Sequence, residues 1–173
     1  MIEDLSLHVA DLILNALRAG ARRIELSLER SGGFLVLEVE DDGRGMSEGE
    51  LSRALDPFFT TKDAPHGIGL GLALVRQTAE ELGGRLEVDS APGRGTKVRL
   101  VVPYGHPDRP PLGDLAGTVA PLVLSNPEVE FTLRFAGEGR TWTLTPGDRV
   151  GGLRELEGRL RRGLGQVGLK EEE

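Results

Sequence analysis

Cysteine is absent from the 173-residue chain, which excludes a disulfide framework, a thiolate metal site and a cysteine nucleophile. Aromatic residues are scarce, with one Trp, one Tyr and five Phe, and the only lysines are Lys62, Lys97 and Lys170. No apolar run is long enough to span a bilayer, and the N-terminus lacks the charged-then-apolar pattern of a secretory signal. A cytoplasmic chain with no membrane association is therefore expected. Positive charge is in deficit: 21 Lys and Arg against 28 Asp and Glu give a formal net charge of −7. A phosphate-neutralising surface needs net basic charge, so no nucleic-acid partner is expected. Glycine is what the chain has in excess, with 25 residues, about twice the usual share of roughly 7%. These glycines follow no three-residue period, which excludes a collagen-like chain.

The spacing of apolar residues predicts the elements. Val9, Leu12, Ile13, Ala16 and Leu17 recur at helical spacing, so a helix runs from a cap at Ser6 to about Arg18. Residues 22–30 and 34–40 form an antiparallel hairpin around Gly32-Gly33, with Ile24, Leu26 and Leu28 alternating with polar residues. A short helix runs from Ser47 to about Leu55, and a longer one over 70–82. A second hairpin pairs 85–90 with 96–103 around Pro92-Gly93. Strands in antiparallel pairs between helices predict an α/β two-layer sandwich, with a mixed, mostly antiparallel sheet and helices on one face. The Pro-rich stretch from Pro103 to Gly113 marks a composition break. We read residues 1–104 as one unit, 105–113 as a linker and 114–173 as a small αββα extension. In that extension a helix over 114–125, a hairpin of 128–135 with 140–145, and a helix over 153–164 are expected, with KEEE as a frayed tail.

Four segments carry candidate chemistry. Asp11 and Asn15 are one turn apart on a helix, so both project from one face, with His8 nearby. A carboxylate beside an amide suits a hydrated Mg²⁺, although an ordinary polar face looks the same. DDGRGM, Asp41 to Met46, leaves a strand, and its glycines let a flat ligand approach the backbone. HGIGLGLAL places Gly67, Gly69 and Gly71 at a helix start, where amides and the helix dipole favour anions. It is neither a dinucleotide fingerprint nor a P-loop, because its spacing differs and no Gly-Lys-Ser/Thr follows. GRGT, Gly93 to Thr96, lies between paired strands and alone reads as a turn with a bulge.

Taken in order, these segments resemble the ATP-binding fold shared by sensor histidine kinases, gyrase-type topoisomerases, the heat-shock chaperone of that group and mismatch-repair ATPases, known as the GHKL superfamily or Bergerat fold. The resemblance covers roughly residues 5–103. DLILNALRAGA is similar to the family's Asn box, DDGRGM to its first glycine box and DPFFTTK to its phenylalanine box. GIGLGLALV is similar to the second glycine box, and GRGTKV to the closing one. The resemblance implies ATP and Mg²⁺ as cofactors. It implies that Asn15 is the Mg²⁺ ligand that bridges the phosphates, and that Asp41 accepts the adenine amine with Thr96 assisting. Gly43, Gly45 and Met46 would line the adenine pocket, residues 60–66 would form a lid, and Lys62 would reach a phosphate. Gly67, Ile68, Gly69, Leu70, Gly71 and Leu72 would hold the phosphate end. Phe58 and Phe59 would pack under the lid.

The sequence also departs from the histidine-kinase branch. It begins a few residues before the Asn box, and His8 precedes Val-Ala and not the Glu-containing pattern of a phospho-acceptor, so no autophosphorylation is expected. An acid four residues before the box Asn marks the mismatch-repair, gyrase and anti-sigma serine-kinase branches, where a Glu is the general base. Asp11 takes that place here, one carbon shorter. The C-terminal stretch resembles the tail of small stand-alone histidine-kinase-like ATP-binding proteins. In some bacteria these are encoded beside iron–sulfur hydrogenase or NADH-oxidoreductase subunits, which implies a redox or signalling protein as partner. The expected function is thus a stand-alone regulatory ATP-binding module or slow ATPase, with a homodimer as one assembly. The alternative is a protein Ser/Thr or His kinase acting in trans through Asp11.

Overall fold

The computed structural model describes residues 2–58 and 71–171. Among them the chain folds as α1 (Leu5–Arg18), β1 (Arg23–Ser31), β2 (Phe34–Asp41), α2 (Glu48–Ala54), α3 (Gly71–Glu81), β3 (Arg85–Ser90) and β4 (Thr96–Pro103), followed by α4 (Leu115–Ser125), β5 (Glu130–Gly137), β6 (Arg140–Leu144) and α5 (Leu153–Gln166). All six strands form one sheet in the order β3-β4-β2-β1-β5-β6. Every neighbour is antiparallel except β1 with β5, which run parallel with Leu26 opposite Leu133.

Alternation along the strands separates two faces. Ile24, Leu26, Leu28, Leu35, Leu37, Val39, Val98, Leu100, Phe131, Leu133 and Phe135 are buried in one core with the apolar faces of α1, α3, α4 and α5. The other face carries charge, such as Glu38 beside Lys97 (3.4 Å) and Arg134 beside Glu29 (3.5 Å). The result is the expected α/β two-layer sandwich. The C-terminal hairpin and its helices do not stand apart: β5 and β6 continue the sheet past β1, and Trp142 of β6 stacks on Phe135 at 5.1 Å.

Two local expectations are corrected by non-local contacts. The N-cap of α1 is Asp4, not Ser6; the Asp4 carboxylate accepts from the Leu7 amide at 3.2 Å and from the Ser6 hydroxyl. The helix starts early because Pro111 and Leu112 supply carbonyls to the amides of Leu5 and Ser6, each at 2.9 Å. These amides have no partner within the helix itself. KEEE is not a frayed tail through Glu171. Leu169 is buried, the Glu171 carbonyl accepts from Gly113 at 2.7 Å, and its carboxylate accepts from Ala116 at 2.8 Å at the start of α4. Phe58 is 88% exposed, and the lid under which it is expected to pack lies outside the described residues. Phe59 lies outside the described residues. Ser47 caps α2 as expected, in a capping box with Glu50. Among the described residues no helix is long and apolar enough to cross a membrane.

Candidate nucleotide site

A pocket opens where the C-terminal half of α1, the end of β2, the start of β4 and the start of α3 meet. Leu12, Ala19, Val39, Met46, Leu72 and Val98 supply an apolar lining, and Asn15, Arg18, Asp41, Arg44, Gly45 and Thr96 complete it. The polar members are few and differ in chemistry, as in sites that orient a mostly apolar, flat ligand.

Period-two geometry explains the inner wall. Val39 and Asp41 are two apart on β2, Thr96 and Val98 two apart on β4, and Asp41 pairs with Thr96 while Val39 pairs with Val98. One apolar and one polar side chain from each strand therefore share one face. Asp41 Oδ1 accepts a 2.8 Å hydrogen bond from the Gly43 amide. Burial pushes the Asp41 carboxyl above the usual carboxylate range, with that amide bond opposing.

The loop after β2 is clamped onto the β3–β4 turn. The Gly93 amide donates to the Arg44 carbonyl at 2.7 Å, and the Arg44 amide donates to the Ala19 carbonyl at 2.9 Å. Ser90 Oγ accepts from the Met46 amide at 2.9 Å, donates to the Gly95 carbonyl at 3.1 Å and lies 2.8 Å from Thr96 Oγ1. One hydroxyl thus joins both glycine segments that border the pocket.

Asn15 and Asp11 lie one turn apart on α1, against the first residue of α3. A Cβ added to Gly71 would sit 3.2 Å from Asp11 Cβ and 3.5 Å from Asn15 Nδ2, so glycine lets α3 begin in contact with this pair. Asp11 is half-buried, and burial raises its carboxyl above the ordinary range while Arg18 opposes. His8 lies deeper and does not reach the pocket. It is fully buried, its Nε2 is 2.8 Å from Thr78 Oγ1 on α3, and burial lowers its pKa to about 4 against the opposing Asp4 charge.

Of the residues expected from sequence, Asn15, Asp41, Gly45, Met46, Leu72 and Thr96 line this one pocket. Gly43 borders it through its amide, and Asp11 and Gly71 border it beside Asn15. Lys62, Gly67, Ile68, Gly69, Leu70 and the expected lid over 60–66 lie outside the described residues. Sequence reasoning missed Leu12, Arg18, Ala19, Val39, Arg44 and Val98 as lining, and Ser90 as the tie behind them. A signal for four of these was present: Leu12, Arg18 and Ala19 are i±3 and i+4 from Asn15, and Val39 is i−2 from Asp41.

An open-faced sandwich with a pocket of this kind at one end of its sheet is the class of the ATPase fold that the motifs resemble. A family model described as "Histidine kinase-, DNA gyrase B-, and HSP90-like ATPase" matches residues 2–106. The chain belongs to this family. It is 40% identical over 93 residues to the nitrogen regulation protein NtrY of Azorhizobium caulinodans, covering 53% of this chain and 12% of that protein. It is 31% identical over 128 residues to the sensor kinase CckA of Brucella abortus, covering 73% of this chain and 13% of that protein. The chain therefore spans only about an eighth of these relatives. In fold, it matches the N-terminal domain of a DNA repair protein with a TM-score of 0.61 at 15% identity, over 90% of this chain and 56% of that one. It matches the ADP-bound MutL ATPase domain of Aquifex aeolicus at 0.54 and 18% identity, over 95% and 70%. Matches of this coverage include residues beyond 106.

Proposed function

We propose that this chain binds ATP with Mg²⁺ in the α1–β2–β4–α3 pocket and acts as a cytoplasmic regulatory module or slow ATPase. The observation that supports this best is the half-buried carboxylate of Asp41, set against the apolar wall of the pocket. Asp41 has one oxygen engaged by the Gly43 amide, beside Leu12, Val39, Met46 and Val98. A flat heterocycle with an exocyclic amine satisfies both demands, since it buries apolar faces and gives the carboxylate a donor. Family membership supports the same ligand.

The donor set fits Mg²⁺ carried by a nucleotide. Among the described residues no group of three or more His, Cys, Asp or Glu could hold a metal ion. Mg²⁺ commonly keeps waters and takes one or two protein oxygens plus phosphates. In this reading Asn15 would hold the ion through its carboxamide oxygen, and the chemistry the ion would supply is neutralisation of phosphate charge. Asp11, raised by burial, takes the proton from an attacking water. Its carboxylate is one methylene shorter than a glutamate, so slow turnover follows. The lid over 60–66, with Lys62, and the segment from Gly67 to Leu70 would close on the phosphates. Closure would change affinity for a protein partner, either a redox or signalling protein or a second copy of this chain.

Equilibrium dialysis with γ-labelled ATP and MgCl₂ tests this. Binding is expected in the wild type and lost in Asn15→Ala. An Asn15→Ala variant that holds Mg-ATP as tightly as wild type overturns the site. Following the label separates the modes: free phosphate supports hydrolysis, whereas label on an added protein supports phosphoryl transfer in trans.

A further inference from the structure

Two helices meet at the phosphate end of the pocket, and their contact has two ends. At the site, Gly71 of α3 lies against Asp11 and Asn15 of α1. Seven residues further along α3, Thr78 Oγ1 lies 2.8 Å from Nε2 of His8, seven residues before Asn15 on α1. The helices are therefore antiparallel, with seven residues of α3 and three to seven of α1 separating the two contacts. Between them the buried residues of α3 are Leu72, Ala73 and Val75, and those of α1 are Val9, Leu12 and Ile13, all apolar.

Apolar side chains tolerate sliding better than a directional bond does. A shift of one residue along a helix moves it by about 1.5 Å, and apolar contacts can re-form after such a shift. The His8–Thr78 pair cannot follow. His8 is fully buried and Thr78 is 5% exposed, so sliding leaves both polar atoms without water or protein partners. His8 Nδ1 has no hydrogen-bond partner among the described residues. The bond to Thr78 is thus the polar contact that orients this ring.

We propose that His8 and Thr78 are positioning residues for the phosphate end of the site: their buried hydrogen bond sets the register of α3 on α1, and with it the distance from the first amides of α3 to Asn15 and Asp11. The inference rests on the ATP-binding reading above. A helix start recognises phosphate through these amides, and sub-ångström placement governs how well such groups act. The adenine end depends on Asp41, Thr96 and the loop clamped by Ser90, none of which touches this hydrogen bond. The pair should therefore matter for ligands with phosphates and not for adenosine.

The test compares the affinities of Mg-ATP and adenosine by calorimetric titration in wild type, Thr78→Val and Thr78→Ser. Removing the hydroxyl in Thr78→Val is expected to weaken Mg-ATP about tenfold, the size of one ordinary hydrogen bond, and adenosine less than about twofold. Thr78→Ser keeps the hydroxyl and should restore Mg-ATP binding. Unchanged Mg-ATP affinity in Thr78→Val, an equal loss for both ligands, or failure of Thr78→Ser to restore binding overturns the inference. If Thr78→Val does not fold, the His8→Leu/Thr78→Val double variant removes both polar partners together and keeps the core apolar. The same selective loss is then expected, and its absence overturns the inference. Wild type that binds neither ligand overturns the ATP-binding reading itself and the inference with it. Wild type that binds both, with no selective loss in the variants, overturns the inference alone.

Discussion

Gly95 passes so close to Asp41 that a Cβ on Gly95 would lie 1.9 Å from the Asp41 carbonyl oxygen. The backbone there is also left-handed, with φ 75°, which L side chains adopt at a cost. Backbone meets backbone, so neither partner can yield by rotating a side chain. Gly95→Ala is expected to destabilise the fold by roughly 2–4 kcal/mol, read as a lower midpoint in urea unfolding. A midpoint equal to wild type would show that the two strands can separate here freely.

Asp41→Ala removes the carboxylate while leaving the apolar lining in place. Hydrogen bonds to charged groups are worth about 1.5–3 kcal/mol, so ATP and adenosine should both weaken by roughly ten- to a hundredfold. Titration of the two ligands checks this. Loss of ATP alone would move the adenine contact away from Asp41.

Ser90→Ala removes the acceptor of the Met46 amide and the bonds to Gly95 and Thr96. A stability loss of about 1–2 kcal/mol is expected, with weaker adenosine binding because the loop carrying Gly45 and Met46 is released. Paired thermal melts and adenosine titrations check this. Intact adenosine affinity would show that the loop holds its place without this hydroxyl.

His8 sets a pH dependence of stability. Its pKa is near 4 in the fold, against an ordinary 6.5, so the unfolded chain takes up the proton first. The contribution is fully present above about pH 6.5 and is lost as pH falls towards 4. The slope reaches about 1.4 kcal/mol per pH unit, a total on the order of 3 kcal/mol. Asp11 and Asp41, raised by burial, act in the opposite sense. The His8 share is therefore the difference between wild type and His8→Leu/Thr78→Val, followed by unfolding at pH 7, 6, 5 and 4. Parallel curves would mean that His8 titrates normally.

Truncation after Gly168 removes Leu169, which is 1% exposed, and Glu171, which caps α4 and lies 3.6 Å from Arg161. A loss of about 2–4 kcal/mol is expected from the buried leucine alone. Glu171→Ala with Leu169 kept should cost about 1 kcal/mol. Chemical denaturation of both variants separates the two contributions, and equal losses would assign everything to the carboxylate.

Elements with strong local periodicity were legible in the sequence. The alternation of Ile24, Leu26 and Leu28 and the helical spacing of Val9, Leu12 and Ile13 depend on nothing outside their own segments. Asn15, Asp41, Gly45, Met46, Leu72 and Thr96 were legible only because their motifs resemble a known family; each alone also fits a turn or a polar face. What escaped is non-local. Asp4 caps α1 because carbonyls from Pro111 and Leu112 arrive from a hundred residues away. Ser90 sits in a strand whose alternation explains it completely, so its three bonds left no local trace. His8 lay near Asp11 in sequence, and only the seat of α3 shows that it faces Thr78.

The parallel register of β1 with β5 joins residues 23–29 to residues 130–136. Strand β1 is thus interior only once the last third of the chain has been made. During synthesis the first hundred residues can assemble β3-β4-β2-β1, but they then present Ile24, Leu26 and Leu28 on a bare edge. Such an edge is a template for pairing with another chain. Late-arriving β5 is therefore a built-in guard for the β1 edge, and the shorter β6 then covers β5 in turn.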